Sequence, residues 1–282
     1  MELTVLVDNN TLIDRYLLGE PGISYLIEDH ETRILFDLGY SDAFMINARK
    51  LGLDLLNLDY IALSHGHLDH TWGLDPLVRA LTEARIEGLT CKRPTVIAHP
   101  DVFATKTVME LPEIGTMISM DKLARHMDMR LSKAPVWITS HLVFLGEIPR
   151  IFPFEDARLG ATLHNGVLAP DDLLDDTSLA YVSSQGLVII TGCAHAGICN
   201  TIEYAKKVCN TKQIHDVIGG FHLQSPATTR MEQTTGYLAA QGICALHPCH
   251  CTDLGSKIAL SRVLPVYEVG SGLHLFFPES CS

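Results

Sequence analysis

Ser64-His65-Gly66-His67-Leu68-Asp69-His70 decides the reading of this chain, because three imidazoles and a carboxylate fall within a few consecutive positions. His65 and His67 point the same way if the backbone between them is extended, and Gly66 allows whatever dihedrals that requires. The pair would hold one divalent ion from one side. Asp69 and His70, just past a short turn, would bind a second ion close by, the arrangement used in metal-assisted hydrolysis.

Working outward, Tyr60-Ile61-Ala62-Leu63 reads as a buried strand running straight into this loop, and a helix is expected from near Gly73 with Leu74, Leu77, Val78 and Leu81 on one face. Upstream, Ile23 to Ile27 and Arg33 to Asp37 are β-rich runs joined by Asp29-His30-Glu31-Thr32, a hairpin pattern. A helix capped by Ser41-Asp42 and ended by Gly52 should follow. Downstream, Pro94 to Ala98 is a strand that ends at His99-Pro100, where His99 has a helix-start role. Ile118 to Leu131 reads as a Met-rich helical segment, followed by β-like runs at Val136 to Ile138 and Leu142 to Leu145. Residues 102–155 are taken as an elaboration that covers a site. An acidic connector, Asp171 to Asp176, leads to further strands at Leu179 to Val182 and Leu187 to Ile190. Strands mixed with helices on this scale indicate an α/β protein with sheets covered by helices.

Strand ends supply the other candidate ligands. Leu63 leads to His65, Ile190 leads through Thr191-Gly192-Cys193-Ala194 to His195, and Ile218 leads through Gly219-Gly220-Phe221 to His222. In α/β sheets such ends converge on ligand sites, so three separated segments should meet at one cluster. The expected metal ligands are His65, His67, Asp69, His70, His195 and His222. Asp69, His195 and His250 are the expected catalytic groups. A helix starting at Gly197 would offer free N–H groups to a phosphate or carboxylate. Asp37, after the apolar run Leu35-Phe36, should orient a ligating histidine. Cys193 either ligates or packs beneath the site. His247-Pro248-Cys249-His250-Cys251 is too crowded for a separate structural zinc, so Cys249 and Cys251 are read as core residues. His30, His126, His141, His164, His215 and His274 lack such context.

With 282 residues and 47% hydrophobic content the chain can bury a large core. Its apolar runs are strand-sized and far below the roughly 20 residues of a membrane span. The N-terminal stretch alternates like a strand and shows no signal-peptide pattern, so a cytoplasmic protein with reduced cysteines is expected. A net charge of −12 argues against nucleic acid as a partner, whereas a small anionic or phosphorylated substrate is compatible with bound metal.

Leu35-Phe36-Asp37-Leu38-Gly39, the His65 to His70 motif, Thr191-Gly192-Cys193 and His222 resemble the metallo-β-lactamase superfamily in order and spacing. Asp8-Asn9-Asn10, Gly22 to Glu28, Gly146 to Arg150, Thr191 to Gly197, Gly219 to Leu223 and His250-Cys251-Thr252 are similar to its 7,8-dihydropterin-6-yl-methyl-4-(β-D-ribofuranosyl)aminobenzene 5′-phosphate synthase-like subgroup. The likeness spans nearly the whole chain. It implies one domain over residues 1–282, an αββα sandwich of two mixed sheets packed face to face with helices outside, and metals at the edge between the sheets. It also implies His65 and His67 at a first metal and Asp69, His70 and His222 at a second. The chain departs from the superfamily pattern in two places. No histidine stands at the usual spacing before Thr191-Gly192, and Cys193 occupies the usual bridging-aspartate position. His195 is the candidate substitute.

The leading expectation is a metal-dependent hydrolase of a phosphoester or similar ester, using a metal-activated water. A pterin-type transferase or synthase is the alternative. A non-catalytic metal or redox sensor is a third reading, distinguished by whether an open position faces a cleft. Zinc suits the donors, as do iron and manganese.

Overall fold

Tyr25-Leu26-Ile27 shows how the layers form, since successive side chains of a strand point to opposite faces and all three are buried. Tyr25 and Ile27 enter one apolar cluster with Val5, Phe36, Phe144, Tyr181 and Ile190, which lies between two sheets. Leu26 faces the other way, into a cluster where Leu35, Ile61 and Val96 meet the helical residues Phe44, Ala48, Leu77 and Leu81. A third cluster mirrors it on the far side, where Ala180, Ile189 and Val217 pack on Ile198, Ile202, Leu238 and Leu260. Helix, sheet, sheet, helix is the resulting order of layers. Sheets buried on both faces explain why so many of the strands are continuous hydrophobic runs.

The computed structural model describes residues 1–155, 158–164 and 166–279, with only the backbone of His164. In the first sheet the spatial order is His274–Phe276, Glu2–Val7, Ser24–Asp29, Thr32–Phe36, Tyr60–Ala62, Thr95–Ala98 and Asp128–Leu131. Its strands are parallel from Thr32–Phe36 onward. In the second sheet the order is Ala245–Cys249, Ile214–Gly220, Gly186–Thr191, Ser178–Ser183, Leu142–Phe144 and Val136–Trp137. The first three of these are parallel. A small third sheet joins Val167–Pro170, Ala161–His164 and Lys106–Thr107. Among the described residues no helix is long and apolar enough to cross a membrane.

The hairpin forms as expected, with His30 taking the left-handed turn position at φ 54°. The expected helices are found at Ala43–Leu51 and Leu74–Ile86. His99 accepts the Asp101 N–H through Nδ1, at 3.1 Å, and so opens the short 3-10 turn Pro100–Phe103. The helix expected over Ile118 to Leu131 is a correction. Only Met120–Leu123 is helical, and Asp128–Leu131 is a strand parallel to Thr95–Ala98. Asp128 and Arg130 face out while Met129 and Leu131 pack inward, an alternation of period two that strand pairing turns into an edge. The stretch 102–155 therefore divides. Residues 128–131, 136–137 and 142–144 belong to the main sheets, whereas Val108, Leu111 and Ile114 line the cleft described below.

Candidate metal centre

Six strands deliver residues to one edge of the sandwich. Thr32–Phe36 ends at Asp37, Tyr60–Ala62 leads to Ser64 and His65, and Glu2–Val7 ends at Asp8 and Asn9. From the second sheet, Gly186–Thr191, Ile214–Gly220 and Ala245–Cys249 lead to Cys193 and His195, to His222, and to His250. Three of these residues, Asp37, His222 and His250, and Ala194 next to His195, hold left-handed φ values of 50–54° although none is glycine. Such conformations cost of order 1–3 kcal/mol each and persist where surrounding structure enforces them.

His67 caps the one-turn helix Leu68–Thr71 in an extended conformation, so Asp69 and His70 rise from that turn beside the His65–His67 pair. Gly66 is needed for close approach rather than for unusual dihedrals, since a Cβ there would stand 2.4 Å from the Val102 carbonyl oxygen. Three imidazoles then converge. His65 Nε2 is 3.0 Å from His67 Nδ1 and 3.2 Å from His195 Nε2. His65 is tautomerically fixed by a relay: Asp37 Oδ2 accepts the Ser64 hydroxyl at 2.6 Å, and Ser64 Oγ accepts His65 Nδ1–H at 2.9 Å. That leaves the lone pair of His65 Nε2 facing the other two rings.

Beside this group lies a second. Asp37 Oδ2 accepts His70 Nδ1–H at 2.7 Å, the orienting contact expected of Asp37, and turns His70 Nε2 toward Asp69 at 3.8 Å. His250 Nε2 is 3.4 Å from the same Asp69 carboxylate. Its Nδ1 lies 3.0 Å from the Asn9 side-chain oxygen, and its backbone N–H donates to Asp8 Oδ1 at 2.9 Å. Cys193 Sγ lies 3.3 Å from His70 Nε2 and 3.2 Å from His250 Nε2, and it links to the first group through His65, whose potential ligand atom lies within 4.8 Å of it.

The potential ligand atoms of His65, His67 and His195 lie mutually within 4.8 Å, as do those of Asp69, His70 and His250. The expected site residues thus gather at one edge, with His67, Asp69, His195, His222 and His250 lining the cleft and His65 and His70 buried behind them, but His222 joins no such trio among the described residues. Its ring lies 4.3 Å from that of His195, and its backbone N–H donates to Cys251 Sγ at 3.3 Å.

Two buried supports were not legible as such. The acidic connector passes beneath the loop: Asp175 accepts the Gly66 N–H at 2.8 Å, and Lys106 Nζ bridges Asp171 and Asp175 at 2.7 and 3.0 Å. Asp176 accepts the Ala196 N–H at 2.9 Å and fixes the turn carrying His195. The helix Ile198–Val208 does bind a carboxylate at its N-terminus, but that carboxylate is the chain's own Glu155, which accepts from Cys199 and Asn200 at 2.9 and 2.8 Å. Those two N–H groups are thereby already taken. The reading of Cys249 as core holds, since it is buried against the Tyr25 hydroxyl at 3.2 Å. Cys251, by contrast, lines the cleft.

The electrostatics favour a cation. Burial drives His67 down to about 3 and His65 and His195 well below the ordinary imidazole value, so all three offer neutral lone pairs. For His70 burial pulls the same way, but Asp69 and Asp37 prevail and hold it up to about 9. Asp69 is held low despite its burial, by His70 and His250. His67 Nε2, His195 Nδ1 and His222 Nδ1 are buried without hydrogen-bond partners. Converging lone pairs and orphaned nitrogens of this kind fit divalent metal, and the mixture of imidazole, carboxylate and thiol donors suits a transition ion. The cleft they face has a volume of about 450 Å³.

Comparison with known proteins agrees. A family model described as the metallo-beta-lactamase superfamily matches residues 18–88. The chain is 30% identical, over 85% of its length and 83% of the relative's, to 7,8-dihydropterin-6-methyl-4-(beta-D-ribofuranosyl)-aminobenzene-5'-phosphate synthase of Methanocaldococcus jannaschii. It belongs to the metallo-beta-lactamase superfamily. An uncharacterised protein of the same organism is also 30% identical, over 93% of this chain and 94% of the relative. The crystal structure of Tm1679, a metal-dependent hydrolase of the beta-lactamase superfamily, superposes with a TM-score of 0.83 at 26% identity, covering 99% of this chain and 100% of that one. Membership in this enzyme superfamily implies divalent metal binding, and the two donor trios are the candidates for it.

Proposed function

We propose that the protein is a metal-dependent hydrolase acting on a phosphoester or similar ester. The observation that carries this reading is the pair of adjacent donor trios, His65–His67–His195 and Asp69–His70–His250, opening on one cleft. Bound divalent ions, with zinc the first choice, would polarise the substrate oxygen and lower the pKa of water toward neutrality. The chain's residues do the rest. Asp37 and Asn9 hold His70 and His250 with their Nε2 atoms turned inward. Asp69 is the carboxylate placed to take a proton at Oδ2. His222 lines the cleft without belonging to a trio, so its imidazole rather than that of His250 is assigned to contact substrate and the leaving group. An anionic substrate would meet imidazoles and no lysine or arginine among the described lining residues, which leaves the ions to balance its charge.

The identity to the M. jannaschii synthase favours a second reading, a pterin-type transferase using the same donors to activate a substrate without hydrolytic water. Assay of phosphodiesters, lactones and pterin substrates on metal-loaded protein separates the two. Turnover of esters but not of pterins is expected. Undiminished activity after complete metal removal would contradict both. The open cleft speaks against a sensor, which needs no such access. All seven described cysteines are free, which fits a reducing cytoplasmic compartment, and Cys281 lies outside the described residues. The net charge of −12 fits a small-molecule partner rather than nucleic acid.

A further inference from the structure

Cys193, His250 and Cys251 form another trio, with potential ligand atoms mutually within 4.8 Å. His250 also belongs to the Asp69–His70–His250 trio, so one imidazole serves two donor sets. One set is rich in oxygen and nitrogen. The other carries two sulfurs. Cys193 Sγ is already 3.2 Å from His250 Nε2, and Cys251 Sγ is held at the cleft by the His222 N–H at 3.3 Å. A Cβ at Gly220 would stand 2.6 Å from Cys251 Sγ, so the small residue before Phe221 leaves room for this sulfur.

We infer that Cys251 is a metal ligand, and that with Cys193 and His250 it gives the second position a sulfur-rich donor set that selects a thiophilic ion. This rests on the metal-dependent reading above. The two trios share His250, and Cys193 Sγ also stands 3.3 Å from His70 Nε2, so this side of the cleft offers five donors, Asp69, His70, Cys193, His250 and Cys251, from which a tetrahedral ion takes four. Soft ions such as zinc or cadmium draw on the sulfurs, whereas manganese draws on Asp69 and the imidazoles. Each thiol releases its proton to solvent as its sulfur binds. The backbone contact from His222 then has a purpose beyond packing, because it aims Cys251 Sγ at the site.

The test uses the full chain, stripped of metal and reloaded with cobalt(II). Wild type should show near-ultraviolet sulfur-to-cobalt charge-transfer absorption, weakened in Cys251→Ser and absent in the Cys193→Ser/Cys251→Ser double variant. Cys251→Ser should also lower the affinity for cadmium relative to manganese by about tenfold or more. Unchanged absorption and an unchanged cadmium-to-manganese ratio in Cys251→Ser would overturn the inference. Cobalt bound by wild type without sulfur absorption would overturn it too, while leaving the hydrolase reading intact. Failure of wild type to bind any ion would remove both. If Cys251→Ser does not fold, zinc-edge X-ray absorption of wild type decides: two sulfurs per protein at about 2.3 Å support the inference, and fewer overturn it.

Discussion

The two sheets build their halves of the centre differently. The first sheet supplies His65, His67, Asp69 and His70 from one continuous loop, and that loop is anchored on both flanks by buried carboxylates, Asp37 on one and Asp175 on the other. The second sheet supplies His195, His222 and His250 from three separate strand ends, each with its own local support and two of them left-handed at the histidine itself. A contiguous motif shares its supports, so damage to one residue spreads. Dispersed ligands fail singly, and each can take a distinct role.

Removing ions and breaking the continuous loop should have the largest effects. Chelation is expected to abolish activity, and His67→Ala should lower metal content by roughly one ion per chain, read by elemental analysis. Retention of full metal content by His67→Ala would place the ion elsewhere. Next comes the anchor beneath the loop. Asp175→Ala removes a partner of buried Lys106 and the acceptor for the Gly66 N–H, and should destabilise the fold by about 3–5 kcal/mol in urea unfolding. A loss below about 1 kcal/mol would show that the triad does not anchor the loop.

The dispersed half is sharpened by paired variants. His250→Ala should lower metal content, whereas His222→Ala should keep it and reduce kcat by about 10²-fold or more. The opposite pattern would restore His222 as the ligand and His250 as the group that meets substrate. Asn9→Ala, which frees His250 Nδ1, should weaken one ion by about 10–100-fold and leave the other in place. The smallest effect is expected at Glu155. Burial raises its carboxyl above the ordinary value, against the N–H bonds from Cys199 and Asn200. A folded-state pKa above the unfolded one stabilises fully at low pH, and that contribution is lost as pH rises through the raised value. Glu155→Gln cannot titrate, so its denaturation midpoint should fall less than that of wild type between about pH 4 and pH 8. Equal slopes would exclude Glu155 as the source.

The same contrast explains what the sequence made legible. His65 to His70 stood out because its ligands are adjacent, and His195 and His222 because small residues link each to an apolar strand. His250 follows a strand as well, but His247 and Pro248 interrupt its apolar pattern, so its place beside Asp69 needed the parallel pairing with Ile214–Gly220. Asp175 and Lys106 are far apart in the chain and look like surface charges until tertiary packing buries them together. Glu155 likewise gave no sign that it would occupy the helix N-terminus expected to hold a substrate anion. The strands were accessible because sheets buried on both faces leave continuous hydrophobic runs, whereas the order of the layers came from the likeness to the metallo-β-lactamase superfamily. The strand Asp128–Leu131 was not accessible, because Leu131 also continues the four-residue spacing of Leu123 and Met127 that fits a helix.

Anomalous diffraction from crystals loaded with zinc tests the centre most directly. Two peaks are expected at the edge of the sandwich, one among His65, His67 and His195, the other beside Asp69, His70 and His250. A single peak, or a second ion bound by His222 in place of His250, would contradict the assignment.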